Sequence, residues 1–257
     1  MAAFTEFRTR LKAREQMLGT FLKMPTTQTI ELLGTVGYDF VVIDQEHAPL
    51  GRETTDMMIL ACRASNITPV VRVGDAADHN ILSVLDCGAI GVMVPHVDSA
   101  AKAKQIARAC RYSGGSRGMG NVTRAGRWGS LGGMNAHKKN ADAEVTCIAM
   151  IEDLEAVDHV GEIARVEGID AIFIGRGDLT AVIGGDSQTD PKTTAVVEKI
   201  TAQARDANIP IIILASNKDD ATKMRSLGAS TFICGSDHGF FKSGATAGKK
   251  ELGLPLA

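Results

Sequence analysis

A chain of 257 residues, 44% of them hydrophobic, is long enough for one substantial core and has the usual length of a single eight-fold α/β barrel. Its 28 basic residues against 30 acidic ones leave a formal charge of −2, which removes the electrostatic case for nucleic acid or an anionic membrane surface. Partners are expected to be small molecules or protein, with residues 1–257 forming one domain.

Five cysteines (Cys62, Cys87, Cys110, Cys147 and Cys234) are scattered and never spaced Cys-x-x-Cys. Neither a disulfide framework nor a zinc knuckle is indicated, and a cytoplasmic, reducing setting is expected. At the N-terminus Arg8, Arg10, Lys12 and Arg14 are threaded between Phe4, Phe7 and Leu11. This reads as a short amphipathic helix, and no apolar run approaches the length of a membrane span.

In chain order, short apolar runs recur at Leu18–Leu22, Phe40–Ile43, Pro69–Val73, Gly91–Val94, Thr146–Ile151, Ala171–Ile174, Pro210–Leu214 and Thr231–Cys234. Helical, mixed-polarity segments separate them, as in Ile30, Leu33 and Val36, or Ile81, Val84 and Leu85 before a stop at Gly88. Eight strands alternating with helices in a chain of this length predict a closed (β/α)8 TIM barrel. One connection breaks the rhythm, from Tyr112 to Glu144, with eight glycines and Arg117, Arg124 and Arg127 leading up to the only tryptophan, Trp128. A connection this long predicts function or a subunit contact, the latter drawing on Arg124 and Arg127.

Barrel enzymes place their chemistry at the C-terminal ends of the strands. There the second run is followed by Asp44, Glu46 and His47; the third carries Arg72; the fourth is followed by His96; the fifth by Glu152 and Asp153; and the sixth by Gly175-Arg176-Gly177-Asp178. Glu152 and Asp178 end successive strands, so they could face one hard divalent cation such as Mg²⁺ or Mn²⁺, or be plain solvated carboxylates. Arg72 could pair with a rim carboxylate for stability, serve the chemistry, or do both. His79, His137, His159 and His238 read as surface or helix residues. The glycine pairs at 114–115, 132–133 and 184–185 read as turns, since none completes a phosphate-binding fingerprint.

As a set, DQEHAP at 44–49, PVVRV at 69–73, SRGMG at 116–120, Ile151-Glu152 and FIGRGDL at 173–179 resemble the HpcH/HpaI family of metal-dependent class II pyruvate aldolases. The resemblance covers most of the chain. It implies Glu152 and Asp178 as ligands of a divalent cation (Mg²⁺, Mn²⁺ or Co²⁺) that a 2-oxo acid chelates. The backbone N–H groups of Gly177 and Asp178 would hold the substrate carboxylate, and Arg72 would stabilise charge on the keto oxygen. His47 would be the base, its basicity adjusted by Asp44 and Asp86. The implied reaction is reversible cleavage of a 4-hydroxy-2-oxo acid to pyruvate and an aldehyde, by a homo-oligomer and often a hexamer. Met150 stands where the family commonly has a substrate-contacting glutamine, and Arg176 where a proline is frequent.

Three other functions share these features. Decarboxylation of oxaloacetate or a related 2-oxo diacid would use the same site. A Schiff-base aldolase would need Lys23, the only lysine immediately after a predicted strand. A barrel without catalysis could serve as an oligomeric binding protein.

Overall fold

The eight runs form eight parallel strands, each hydrogen-bonded to the next, and the eighth pairs back with the first to close the barrel. They are β1 (Met17–Leu22), β2 (Phe40–Asp44), β3 (Thr68–Arg72), β4 (Gly91–Val94), β5 (Thr146–Ile151), β6 (Ala171–Ile174), β7 (Ile211–Leu214) and β8 (Thr231–Ser236). This is a computed structural model, and it describes residues 5–253. The helices are α1 (Phe7–Lys12), α2 (Gln28–Val36), α3 (Arg52–Ala64), α4 (Asp78–Asp86), α5 (Ala100–Ala109), α6 (Met134–Glu144), α7 (Val160–Ala164), α8 (Arg176–Ile183), α9 (Pro191–Asp206), α10 (Lys218–Ser226) and α11 (Asp237–Glu251).

A strand sandwiched between barrel interior and outer helices buries both of its faces, which is why these runs are continuously apolar. Period two sorts them. Val41, Ile43, Val71, Val92 and Val94 pack outward against the helices, whereas Phe40, Val42, Val70, Met93, Ile148, Met150, Phe173 and Ile212 fill the interior. Asp44, Arg72 and Glu152 continue the inward phase at the strands' C-terminal ends. The other end is plugged: Phe7 and Leu11 of α1 join the interior cluster, with the Phe7 and Phe40 rings 5.2 Å apart. Gly19 makes room for that plug, since a Cβ there would lie 2.4 Å from the Phe40 ring. Phe4, the third apolar residue of the expected amphipathic helix, lies outside the described residues.

Ile81, Val84 and Leu85 bury the inner face of α4 as the pattern predicts, but on α2 only Ile30 and Leu33 are buried and Val36 is 72% exposed. Residues three apart drift by roughly 60° around a helix of 3.6 residues per turn, so the third of such a series leaves the face. The long connection is less irregular than its glycines suggest, because it ends in α6, whose His137 and Ala141 are buried. The Asp142 carboxylate accepts the backbone N–H groups of Tyr112 (2.8 Å) and Ser113 (2.9 Å), tying the start of the connection to this helix. Arg124 pairs with Asp56 at 2.6 Å and lies over the exposed Trp128 ring. On α11 only Asp237 is buried, and Phe241 is largely exposed. Among the described residues no helix is long and apolar enough to cross a membrane.

Candidate active site

Parallel register sets Asp44 beside Arg72, and their side chains meet in a two-pronged ion pair, Nε to Oδ1 at 3.0 Å and Nη2 to Oδ2 at 2.8 Å. Both are buried. Burial raises the Asp44 carboxyl, but the Arg72 guanidinium, the His47 N–H and Lys23 (Nζ at 3.3 Å) outweigh it and hold the group below the ordinary aspartate range. Asp44 Oδ1 also accepts the backbone N–H groups of Glu46 (3.2 Å) and His47 (3.1 Å), so the same carboxylate shapes the turn that presents His47. The His47 side chain is about half exposed, with Nε2 at 3.8 Å from Glu46. Glu46 Oε2 lies 3.0 Å from Arg72 Nη1 but out of hydrogen-bond alignment, a buried oxygen without a bonded partner.

Glu152 stands one residue beyond β5, 2% exposed. Its Oε1 accepts the backbone N–H of His96 at 2.8 Å, and His96 sits in the left-handed region (φ 54°) that aims this N–H inward. A methyl group at Gly175 would lie 2.6 Å from the Glu152 Cβ, so glycine there permits β6 to pass the acid closely. Burial pushes the Glu152 carboxyl up to about 7, against the opposing His96 contacts and with help from the charges of Asp178 and Glu46. Asp178 is exposed in the first turn of α8 and bears on Glu152 electrostatically. His96, which sequence reasoning left unassigned, belongs to this cluster: Nδ1 is 3.1 Å from Asp153 and Nε2 is 3.7 Å from Glu46. Burial lowers its pKa, but these surrounding acids hold it above the ordinary histidine value.

A cavity of about 290 Å³ opens beside Arg72 and Asp178, lined also by Phe21, Lys23, Met150 and Gly177 among others. Lys23 reaches it, though as the ion-pair partner of Asp44. Arg176, read from the sequence only as a departure, is buried at the start of α8 and pairs with the buried Asp220 at 3.0 Å. One predicted association is not made within this chain. Asp86 ends α4 just before β4 begins, hence at the N-terminal end of the barrel, whereas His47 follows the C-terminal end of β2. There Asp86 lies 3.6 Å from Arg117, whose guanidinium stacks on Tyr112, and burial raises its carboxyl. Residues on opposite ends of a strand layer share a sequence neighbourhood pattern without sharing a site, so the motif alone could not reveal this separation.

Residues 17–243 match the model of the HpcH/HpaI aldolase/citrate lyase family. The chain belongs to that family. It is 34% identical over 234 residues to a 2-keto-3-deoxy-L-rhamnonate aldolase of Shigella sonnei, covering 90% of this chain and 86% of that one. Among solved structures, citrate synthase SbnG matches with 33% identity and a TM-score of 0.85 over 96% of this chain and 98% of that one. A HpcH/HpaI aldolase/citrate lyase family protein from Burkholderia cenocepacia matches with 26% identity and a TM-score of 0.90 over 96% and 99%. The protein is thus an enzyme of the aldolase type, a carbon–carbon lyase working on small molecules.

HpcH/HpaI aldolases are typically dependent on a divalent metal, and the residues present fit one. One ligand atom each from Glu46, His96 and Glu152 lie within 4.8 Å of one another. A carboxyl pushed up to about 7 chiefly by burial, with neighbouring acids adding to it, is the group whose charged form a cation would restore. Two carboxylates and one imidazole are a donor set that a divalent cation accepts. The family resemblance implies Glu152 and Asp178 as ligands; Glu46 and His96 are brought beside Glu152 by strand order, which no local motif displays.

Proposed function

We propose that this protein is a class II pyruvate aldolase that cleaves 4-hydroxy-2-oxo acids reversibly to pyruvate and an aldehyde. The observation that carries the reading is that Arg72 and Asp178 line one cavity, with Glu46 3.0 Å from Arg72, Glu152 under the charges of Asp178 and Glu46, and the half-exposed His47 imidazole 3.8 Å from Glu46. Glu152 and Asp178 would hold a divalent cation, and Glu46 and His96, clustered with Glu152, are further donors available to it. That cation, when bound, supplies Lewis acidity toward the substrate's keto group.

The protein's own groups do the rest. The uncapped N–H groups of Gly177 and Asp178 at the start of α8 bind the substrate carboxylate. Arg72, fixed on its far side by Asp44, turns its remaining N–H donors toward the keto oxygen, where negative charge grows as the C3–C4 bond breaks. His47 takes the C4 hydroxyl proton as the aldehyde forms and returns a proton to C3. Asp44 positions His47 through the backbone of the turn.

Identity to a 2-keto-3-deoxy-L-rhamnonate aldolase supports a 2-oxo acid, and similar identity to a citrate synthase leaves its distal group open. Decarboxylation of a 2-oxo diacid is the second reading, and it needs the same Arg72 and carboxylate contacts. A homo-oligomer fits the exposed α11, on which Phe241 lies largely open. The test is protein treated with EDTA and assayed for pyruvate release from several 4-hydroxy-2-oxo acids, with Mg²⁺, Mn²⁺ and Co²⁺ added back. Aldehyde and pyruvate in equal amounts are expected, and Glu152→Ala or Asp178→Ala should abolish the metal response. Gas evolution from oxaloacetate with no aldehyde from any hydroxy acid would select the decarboxylase instead.

A further inference from the structure

We propose that Gln188 is a further substrate-binding residue, whose side-chain amide donates to the carboxylate of the bound 2-oxo acid. This rests on the reading above that the start of α8 holds that carboxylate. Gln188 comes from the segment between α8 and α9, and it lines the active-site cavity together with Gly177 and Asp178. Its Nε2 lies 3.6 Å from where a Cβ at Gly177 would stand, so the amide sits against the turn whose N–H groups lack a cap.

Two features separate this glutamine from ordinary loop polarity. Its main chain is pinned: the Gln188 carbonyl accepts from Arg176 Nε (3.2 Å) and Nη2 (2.6 Å). Arg176 is in turn fixed by Asp220 and by the Leu214 carbonyl at 3.0 Å. A buried guanidinium with this many partners has little freedom to move, so Arg176 acts as a positioning residue for the segment. The Gln188 side chain, by contrast, makes no hydrogen bond among the described residues, and its Oε1 is buried without one. A held backbone that presents an amide NH₂ with no partner at a cavity wall is the arrangement of a donor awaiting an acceptor, while the buried Oε1, itself an acceptor, takes no part in holding an anion. Chemistry points to an anion: a carboxylate offers about four lone-pair sites, two main-chain N–H groups fill half of them, and an amide NH₂ supplies neutral donors for more.

The experiment is calorimetric titration of the Mg²⁺-loaded full-length protein with pyruvate and, separately, with pyruvamide, in wild type, Gln188→Ala and Gln188→Glu. Gln188→Ala should weaken pyruvate about tenfold, the loss of one hydrogen bond to a charged group. Gln188→Glu should weaken it further, since it sets a carboxylate against a carboxylate, while pyruvamide binding changes less than twofold in Gln188→Ala. Thermal melts should be unaltered in Gln188→Ala, because the anchoring contact is made by the backbone carbonyl. Pyruvate affinities within twofold of wild type in both variants would overturn the proposal. A wild-type protein that binds pyruvate, with the loss in Gln188→Ala, yet releases none from any hydroxy acid would remove the aldolase reading and uphold Gln188; no binding of pyruvate by wild type overturns both.

Discussion

Arg72 serves two masters, and the ion pair with Asp44 decides how it can serve them. Nε and Nη2 are committed to the carboxylate, which fixes the plane of the guanidinium at the cavity wall with Nη1 donating to Met150 Sδ (3.9 Å) and 3.0 Å from Glu46. Lysine cannot reproduce this, because its point charge has no second prong to keep it oriented. Arg72→Lys is expected to lower kcat by about 10²–10³ with a smaller change in KM, the signature of a donor that matters most as charge develops. Steady-state kinetics check it, and an equal rise in KM with kcat retained would assign Arg72 to binding alone. His47→Ala should impair proton transfer, seen as slowed exchange of the pyruvate methyl protons in D₂O, while metal affinity stays nearly unchanged. At this scale much was legible: an apolar run stopping at Asp44 marks the strand end, and period two puts Asp44, Arg72 and Glu152 inward. Which acids share a space was not legible, since Glu46, His96 and Glu152 meet across three strands.

At the scale of elements, all eight strands could be read because a two-sided buried strand has no polar interruptions to blur it. The stretch from Tyr112 to Glu144 could not, because its glycines and arginines mask a helix whose buried face is short and includes a histidine. Asp142 shows how that stretch is held. Burial raises its carboxyl, but the N–H groups of Tyr112 and Ser113 prevail and keep it below the ordinary aspartate value. A depressed folded-state pKa contributes stability that is fully present above the unfolded value, roughly 3.9, and is lost as pH falls through the folded one. Asp142→Asn should therefore unfold at lower denaturant concentration than wild type at pH 7. The two curves should converge as the pH drops below 4, and urea titrations at several pH values measure the gap. A gap that widened on acidification would mean that the two N–H bonds are not what sets this carboxyl.

For the whole molecule, closure of the barrel separates what stabilises the fold from what equips its mouth. The interior is sealed at one end by Phe7 and Leu11 and open at the other in the cavity lined by Arg72, Gly177 and Asp178, so the two ends respond to different perturbations. Removing the plug with Phe7→Ala takes a fully buried aromatic ring from beside Phe40 and should cost about 3–5 kcal/mol. The melting temperature should fall without any change in how it responds to metal. Binding a cation only in the folded state adds about 2.7 kcal/mol at a hundredfold excess over Kd, and for a chain of this length each kcal/mol moves the midpoint by roughly 2–4 °C. Melts in EDTA and in saturating Mn²⁺ should thus differ by several degrees, in wild type and in Phe7→Ala alike. Glu152→Gln should abolish that difference, because the amide keeps the size of the side chain but cannot carry the negative charge that a cation compensates. Survival of the Mn²⁺ shift in Glu152→Gln would place the cation elsewhere on the protein, and with it the mouth of the barrel would lose its claim to the chemistry.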